Sequence, residues 1–208
     1  MELGKSRSNT ATTLILFLKN QAEGHVKTRL AKTIGDRNAL RIYEALVQHT
    51  KAVIEKLPVH KVLYYSQAIP SHDGFPISQY DKEIQRGDDL GERMEHAFRS
   101  QFDLGAIRVM IIGSDCAELN PKHIQNAIAA LETKDVVIGP ANDGGYYLLG
   151  MNRFIPAVFR DKPWSTENLL LDTILELKEK NITYALLDTL NDVDHEEDLT
   201  DELRNLIL

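Results

Sequence analysis

Leu14-Ile15-Leu16-Phe17-Leu18 is a short unbroken apolar run that follows a polar opening stretch. Such a run predicts a strand covered on both faces, as in a largely parallel sheet. Between Asp36 and Leu57 the period changes. Leu40, Tyr43, Leu46, Val47, Val53, Ile54 and Leu57 recur at helical spacing, which predicts a helix. The alternation then repeats. Val62 to Tyr65 reads as a strand, Asp89 to Phe102 as a helix with Leu90, Met94, Phe98 and Phe102 on one stripe, and Val109 to Ile112 as another buried strand. Asn120-Pro121 supplies an N-cap and a first-turn proline for a helix that buries Ile124, Ala127, Ile128 and Leu131. Asp135 to Gly139 and Gly145 to Gly150 read as strands flanking a turn at Asn142-Asp143-Gly144. Thr166 is expected to cap a helix running to about Lys180, with Ile182 to Leu187 a strand and Glu196 to Ile207 a closing helix. Strands alternating with helices predict a three-layer α/β domain with a mainly parallel sheet.

The polar residues 1–12 show no periodicity and read as a loose tail, leaving 13–208 as a single domain, which suits a chain of 208 residues. Cys116 is the only cysteine, so a disulfide framework within the chain and a multi-thiolate metal site are excluded, and a reducing cytoplasm is expected. The apolar run at Leu14 is far too short to span a membrane. A net charge of −7 argues against a nucleic-acid partner. Locally the balance reverses. Lys19, Lys27, Arg29, Lys32, Arg37 and Arg41 stand against Glu23 and Asp36, an island suited to one anionic ligand.

In parallel sheets ligands bind beyond the carboxyl ends of the strands, so the segments after each buried run carry the candidate chemistry. After the first strand comes Lys19 to Leu30, where Gly24 lets backbone N–H groups approach phosphate and Lys27 and Arg29 can neutralise the same oxyanions; a solvated basic loop is the bland alternative. The pattern of a P-loop is absent. After Ile112 comes Gly113-Ser114-Asp115-Cys116. Asp115 suits a hard cation such as Mg²⁺, or else caps its own loop. Asp143-Gly144-Gly145 suits either close approach of backbone to a ligand or a tight hairpin. In Asp192-Val193-Asp194, two acids could present oxygens on one side of an extended loop, while Glu196, Glu197 and Asp198 favour a helix N-terminus.

Taken together and in order, several segments resemble one family. They are Lys19…Gly24-His25-Val26-Lys27-Thr28-Arg29-Leu30, Gly87-Asp88-Asp89-Leu90-Gly91-Glu92-Arg93-Met94, Gly113-Ser114-Asp115-Cys116, Gly139-Pro140…Asp143-Gly144-Gly145-Tyr146-Tyr147, Trp164-Ser165-Thr166 and Asp192-Val193-Asp194…Glu197-Asp198-Leu199. The chain is similar to the bacterial glycosyltransferase-A-like family of nucleotide-diphospho-sugar transferase fold, itself similar to 2-phospho-lactate and molybdopterin guanylyltransferases. Gln21 and Ala117 stand where that family usually has proline. The resemblance implies a Rossmann-like sheet, a nucleotide held beyond the first strand and Mg²⁺ or Mn²⁺ on the acid after the central strand. It matches Lys19, Lys27 and Arg29 to the phosphate-binding loop, Asp115 to the metal acid, and Asp192 or Asp194 to the second acidic position.

Lys27, Arg29, Asp115 and Asp143 are therefore the catalytic candidates. Lys19, Gly24, Gly144, Gly145, Tyr146 and Trp164 are the substrate-binding candidates, and Asp115 with Asp192 or Asp194 the metal ligands. Acceptor choice is expected of Tyr146, Tyr147, Trp164 and the loop from Ile69 to Tyr80, a wall that suits a small organic acceptor and equally a homodimer contact. Three functions fit. The protein transfers a sugar from a nucleotide-activated donor, or joins a nucleoside triphosphate to a phosphorylated small molecule with release of pyrophosphate, or binds a nucleotide without turnover. The glycine-rich loop with Arg and Pro-Lys of sugar-nucleotide pyrophosphorylases is missing, which favours the first over the second. The retained acids and cations argue against the third.

Overall fold

The computed structural model of the chain describes residues 11–164 and 166–207, so the expected tail falls outside it over residues 1–10. Seven strands form one sheet: β1 (Thr12–Leu18), β2 (His60–Tyr65), β3 (Asp81–Ile84), β4 (Arg108–Ile112), β5 (Val136–Pro140), β6 (Tyr146–Met151) and β7 (Tyr184–Leu186), in the order β3-β2-β1-β4-β6-β5-β7. β6 alone runs against its neighbours. β1 starts at Thr12, one residue before the expected Thr13.

Six helices cover the faces: α1 (Thr28–Ile34), α2 (Asp36–Glu55), α3 (Leu90–Asp103), α4 (Pro121–Ala130), α5 (Leu169–Glu179) and α6 (Asp201–Arg204). Alternation along the strands explains the layers. Leu14, Leu16, Leu63, Met110 and Ile112 pack with Tyr43, Val47 and Ile54 of α2 and Ile124 and Ala127 of α4. Ile15, Val62, Val109 and Ile111 face the other way, onto Met94, Ala97 and Phe98 of α3 and Leu177 of α5. A third cluster joins Leu30, Ile42 and Leu46 to Val193, Leu199 and Leu203, so the C-terminal segment closes over α1 and α2.

Several expectations are corrected. Thr166 does not cap α5. Its hydroxyl donates to Pro163 O, and the N-cap is Asn168, whose side chain makes no capping bond. The closing helix is broken in two, a 3-10 turn at Glu196–Asp198 and α6, because Leu199 turns extended to reach the core and Thr200 caps afresh by accepting from Leu203 N. Leu90 is 42% exposed and leaves the expected stripe, because it opens α3 at the cleft rim. Ile128 is only half-buried. β3 and α1 are additions to the expected elements. No helix among the described residues is long and apolar enough to cross a membrane.

Candidate functional site

Topology gathers the candidate segments at one edge. β1 and β4 are parallel, so Lys19 and Gly113 leave the sheet on the same side. β6 is antiparallel to β4 and therefore begins there, so the turn before it, Asp143 to Gly145, lies at that edge too. β7 is parallel to β5 and delivers the chain to Asp192 in the same direction. Between these ends opens a cleft of about 650 Å³, whose lining includes Lys19, Lys27, Arg29, Asp115, Asp143, Gly145, Tyr146, Trp164, Asp192 and Asp194.

Lys27 is the electrostatic centre. Its ammonium lies 2.8 Å from Asp115 and 3.4 Å from Asp194, with its side chain only 4% exposed. Burial alone would pull its pKa down, but the Asp115 ion pair, with Asp194 and Asp192 behind it, outweighs that and carries it above the ordinary lysine value. Arg29, well exposed, pairs with the other oxygen of Asp194 at 3.0 Å. Asp115 is bound through its backbone as well. Its carbonyl accepts from Val193 N at 2.9 Å, tying the end of β4 to the acidic loop. The loop-cap reading of Asp115 finds no support, since its carboxylate accepts no backbone N–H among the described residues and meets Lys27 instead. Asp192 is half-buried beside these acids and makes no hydrogen bond or ion pair among the described residues; burial, then the charges of Asp115, Asp143 and Asp194, push its pKa up to about 7.

The acids fit a hard divalent cation in kind, being oxygen donors carried on the loops after β4 and β7 at the same edge of the sheet. Their arrangement is not a finished metal site. No three such side chains among the described residues already surround one point, and the ammonium of Lys27 stands between Asp115 and Asp194.

The opposite wall is built from glycine and aromatic residues. A Cβ on Gly91 would lie 2.2 Å from Nε1 of Trp164, and one on Gly144 would lie 2.1 Å from the carbonyl oxygen of Glu167. Gly144 has φ of +86° and its carbonyl accepts from Leu170 N, so it seats the chain around Glu167 rather than lining the cleft. The turn itself is a hairpin, closed by Gly144 N to Ala141 O and by Asp143 Oδ1 accepting from Gly145 N. Tyr146 meets Trp164 edge-on, and its buried hydroxyl has no partner among the described residues. Gly24 is exposed with φ of +77° and is not part of the lining. Tyr147 also lines the cleft, while its ring packs into the core on the α2 and α4 side and its hydroxyl donates to Asp188 O. The segment from Ile69 to Tyr80 does not reach this cleft. Pro70, His72, Asp73 and Phe75 line a smaller cavity of about 220 Å³ beside Leu18 to Gln21.

Four residues that the sequence does not assign to the site also line the cleft. Tyr43 accepts from Lys19 N at 2.8 Å and from Ser114 Oγ at 3.4 Å, bracing the loop after β1 to the loop after β4; burial pushes its hydroxyl up to about 12. Its helical spacing marked it as core and carried no sign of the brace. Gln85 donates to the carbonyls of Leu18 and Tyr64 and lines the cleft with Ser66. Arg93, which belongs to the Gly87 to Met94 motif, stands on the α3 wall and donates to Gly87 O.

The profile of the family described as "Uncharacterized protein conserved in bacteria (DUF2064)" matches residues 49–166. The crystal structure of a provisionally named nucleotide-diphospho-sugar transferase from Desulfovibrio desulfuricans G20 is 32% identical, with a TM-score of 0.81, covering 89% of this chain and 83% of that one. The inositol-1-phosphate CTP transferase of T. maritima aligns at 12% identity and a TM-score of 0.59 over 94% of each chain. Glucosyl-3-phosphoglycerate synthase of Mycobacterium tuberculosis, solved with Mn²⁺, uridine-diphosphate-glucose and phosphoglyceric acid, aligns at 12% identity and a TM-score of 0.53 over 96% of this chain and 76% of that one. At such identities the last two share the fold alone. No curated protein matches the sequence.

Proposed function

The chain belongs to the family described as "Uncharacterized protein conserved in bacteria (DUF2064)", and from the fold and cleft it has there we propose that it transfers a sugar from a nucleoside-diphosphate donor, in the manner of glycosyltransferase-A enzymes. The coarser statement, a transferase acting on a nucleotide-bearing substrate, has its support in the 32%-identical relative and its transferase name. For the finer one, the supporting observation is the pairing of two cations, Lys27 and Arg29, with the acids Asp115 and Asp194 at the mouth of one cleft.

In this reading Lys27 and Arg29 hold the diphosphate of the donor and neutralise the charge that builds on it as it leaves. Lys19 extends that grip along the loop after β1. Asp115, with Asp192 or Asp194, would hold Mg²⁺ or Mn²⁺. That ion, when bound, supplies Lewis-acid stabilisation of the leaving diphosphate. Asp143 and Gly145 border the transferred group, and Tyr146 and Trp164 offer the apolar wall for a small acceptor. A second reading, nucleotidyl transfer to a phosphorylated acceptor, is favoured by Arg93, a further cation on the α3 wall of the same cleft.

A thermal-shift panel of nucleoside triphosphates and nucleotide sugars, with and without Mg²⁺, tests the reading, because a ligand that binds only the folded state raises its apparent stability. Stabilisation by nucleotide sugars, enhanced by the metal, is expected. Stabilisation by a triphosphate alone would overturn sugar transfer in favour of nucleotidyl transfer.

A further inference from the structure

A buried ammonium stands where the acids of the cleft converge. Lys27 is rooted at the N-cap of α1, with backbone φ of 48° and ψ of 44°, and its carbonyl accepts from Ala31 N. Val26 on one side and Leu30 on the other are buried at 1% and 0% exposure, so the main chain is anchored and a displacement of the ammonium has to come from the side chain. Its Nζ sits 2.8 Å from Asp115 and 3.4 Å from Asp194. Those are the carboxylates that a divalent cation would need under the reading above.

Resting on that reading, we propose that Lys27 is the resident counter-ion of the acidic site, displaced when a divalent ion enters, so that metal and nucleotide bind together. Two cations cannot share one carboxylate oxygen in a partly desolvated site without strong repulsion. If the metal takes the Asp115 oxygen that Lys27 holds, the ammonium must leave. With no other anion present it would be left without its partners in a buried place, a costly state that opposes metal binding. The phosphates of a nucleotide, lying along the loop from Lys19 to which Lys27 belongs, give the displaced ammonium new anionic partners. Each ligand thus removes the obstacle to the other, and the coupling is reciprocal. Arg29 is not displaced in this scheme. Its guanidinium is 58% exposed and approaches Asp194 from the solvent side.

Mn²⁺ binding to the full chain, followed by calorimetry and by loss of the free-ion paramagnetic resonance signal, tests this without any turnover. For the wild type, Mn²⁺ alone is expected to bind weakly, and added UDP, GDP, CDP or ADP, whichever binds, should tighten it by about tenfold or more, within the usual range of such couplings. Lys27→Gln should bind Mn²⁺ alone about tenfold more tightly than the wild type, and the added diphosphate should tighten it little further. Lys27→Arg, which keeps the cation, should behave as the wild type. Asp115→Asn should abolish the binding in every background. If the wild type binds Mn²⁺ equally well with and without nucleotide, in a manner that depends on Asp115, Lys27 is not displaced and the exchange is overturned while the metal site stands. That outcome needs no lysine variant, so the exchange can be overturned even if Lys27→Gln fails to fold. If Mn²⁺ binds under no condition, the metal reading falls and the exchange falls with it.

Discussion

On one wall of the cleft, Lys27 meets Asp194 from a sequence separation of 167 residues, its long side chain reaching a short carboxylate carried by the C-terminal segment. On the other wall, Gly91 meets Trp164 and Gly144 meets the backbone of Glu167 because neither glycine has a side chain at all. The charged wall is specified by what its residues carry, the glycine wall by what its residues lack. The difference separates chemistry from architecture. A charge on the first wall can be removed with the fold kept, since Asp194 has both Lys27 and Arg29 as partners. A single methyl group on the second displaces main chain.

The comparison is broken most forcefully at Gly144. Gly144→Val would drive a branched side chain into Glu167 O at a position with φ of +86°. The expected loss is about 2–4 kcal/mol of unfolding free energy, from overpacking plus the left-handed backbone. Denaturant unfolding measures it, and a loss under 1 kcal/mol, of the order of an ordinary surface change, would mean that this wall is no more demanding than the other.

Arg29→Ala sharpens the other side. Nucleotide affinity is expected to weaken by about 1.5–3 kcal/mol, the worth of a charge-assisted hydrogen bond to phosphate. Stability should scarcely change, because Arg29 is an exposed pairing partner. Calorimetric affinity unchanged from the wild type would remove Arg29 from the phosphate site.

The smallest effect is expected at Asp192. A carboxyl whose pKa rises from 3.8 to about 7 on folding binds its proton more tightly in the native state than in the unfolded one. The native state therefore loses stability as pH rises from about 4 to about 7, and the loss is complete above that range. Asp192→Asn should flatten this dependence and add on the order of 1 kcal/mol at pH 8, after allowance for solvent screening. Unfolding midpoints at pH 5 and pH 8 check it, and an unchanged slope would show that neither burial nor the neighbouring acids raise the Asp192 carboxyl.

Legibility in the sequence follows the same division. Buried strands announce themselves by apolar runs, and β1, β2 and β4 are read to within two residues for that reason. β3 is an edge strand reading Asp81-Lys82-Glu83-Ile84, with no apolar run; its pairing with β2 decides its conformation, and no local pattern could announce it. The charged residues of the cleft are legible because they follow buried strands, and topology then does the gathering. The brace at Tyr43 is not, since its spacing says only that one face of α2 is buried. Nor is the seating of Trp164 on Gly91, because the contact joins segments whose separation in space depends on how α3 and the chain before α5 pack. With a buried ammonium among the acids, Asp115→Asn deprives Lys27 of its nearest partner and should lower stability modestly.

Trp164 has one further property. It is the only tryptophan in the chain, and it sits on the cleft wall with its indole against Gly91 in the first turn of α3. The protein's intrinsic fluorescence is therefore the signal of one ring at one place. Any occupant that changes the polarity there, or any shift of the Tyr146 ring packed edge-on beside it, alters the emission of the entire molecule without a label.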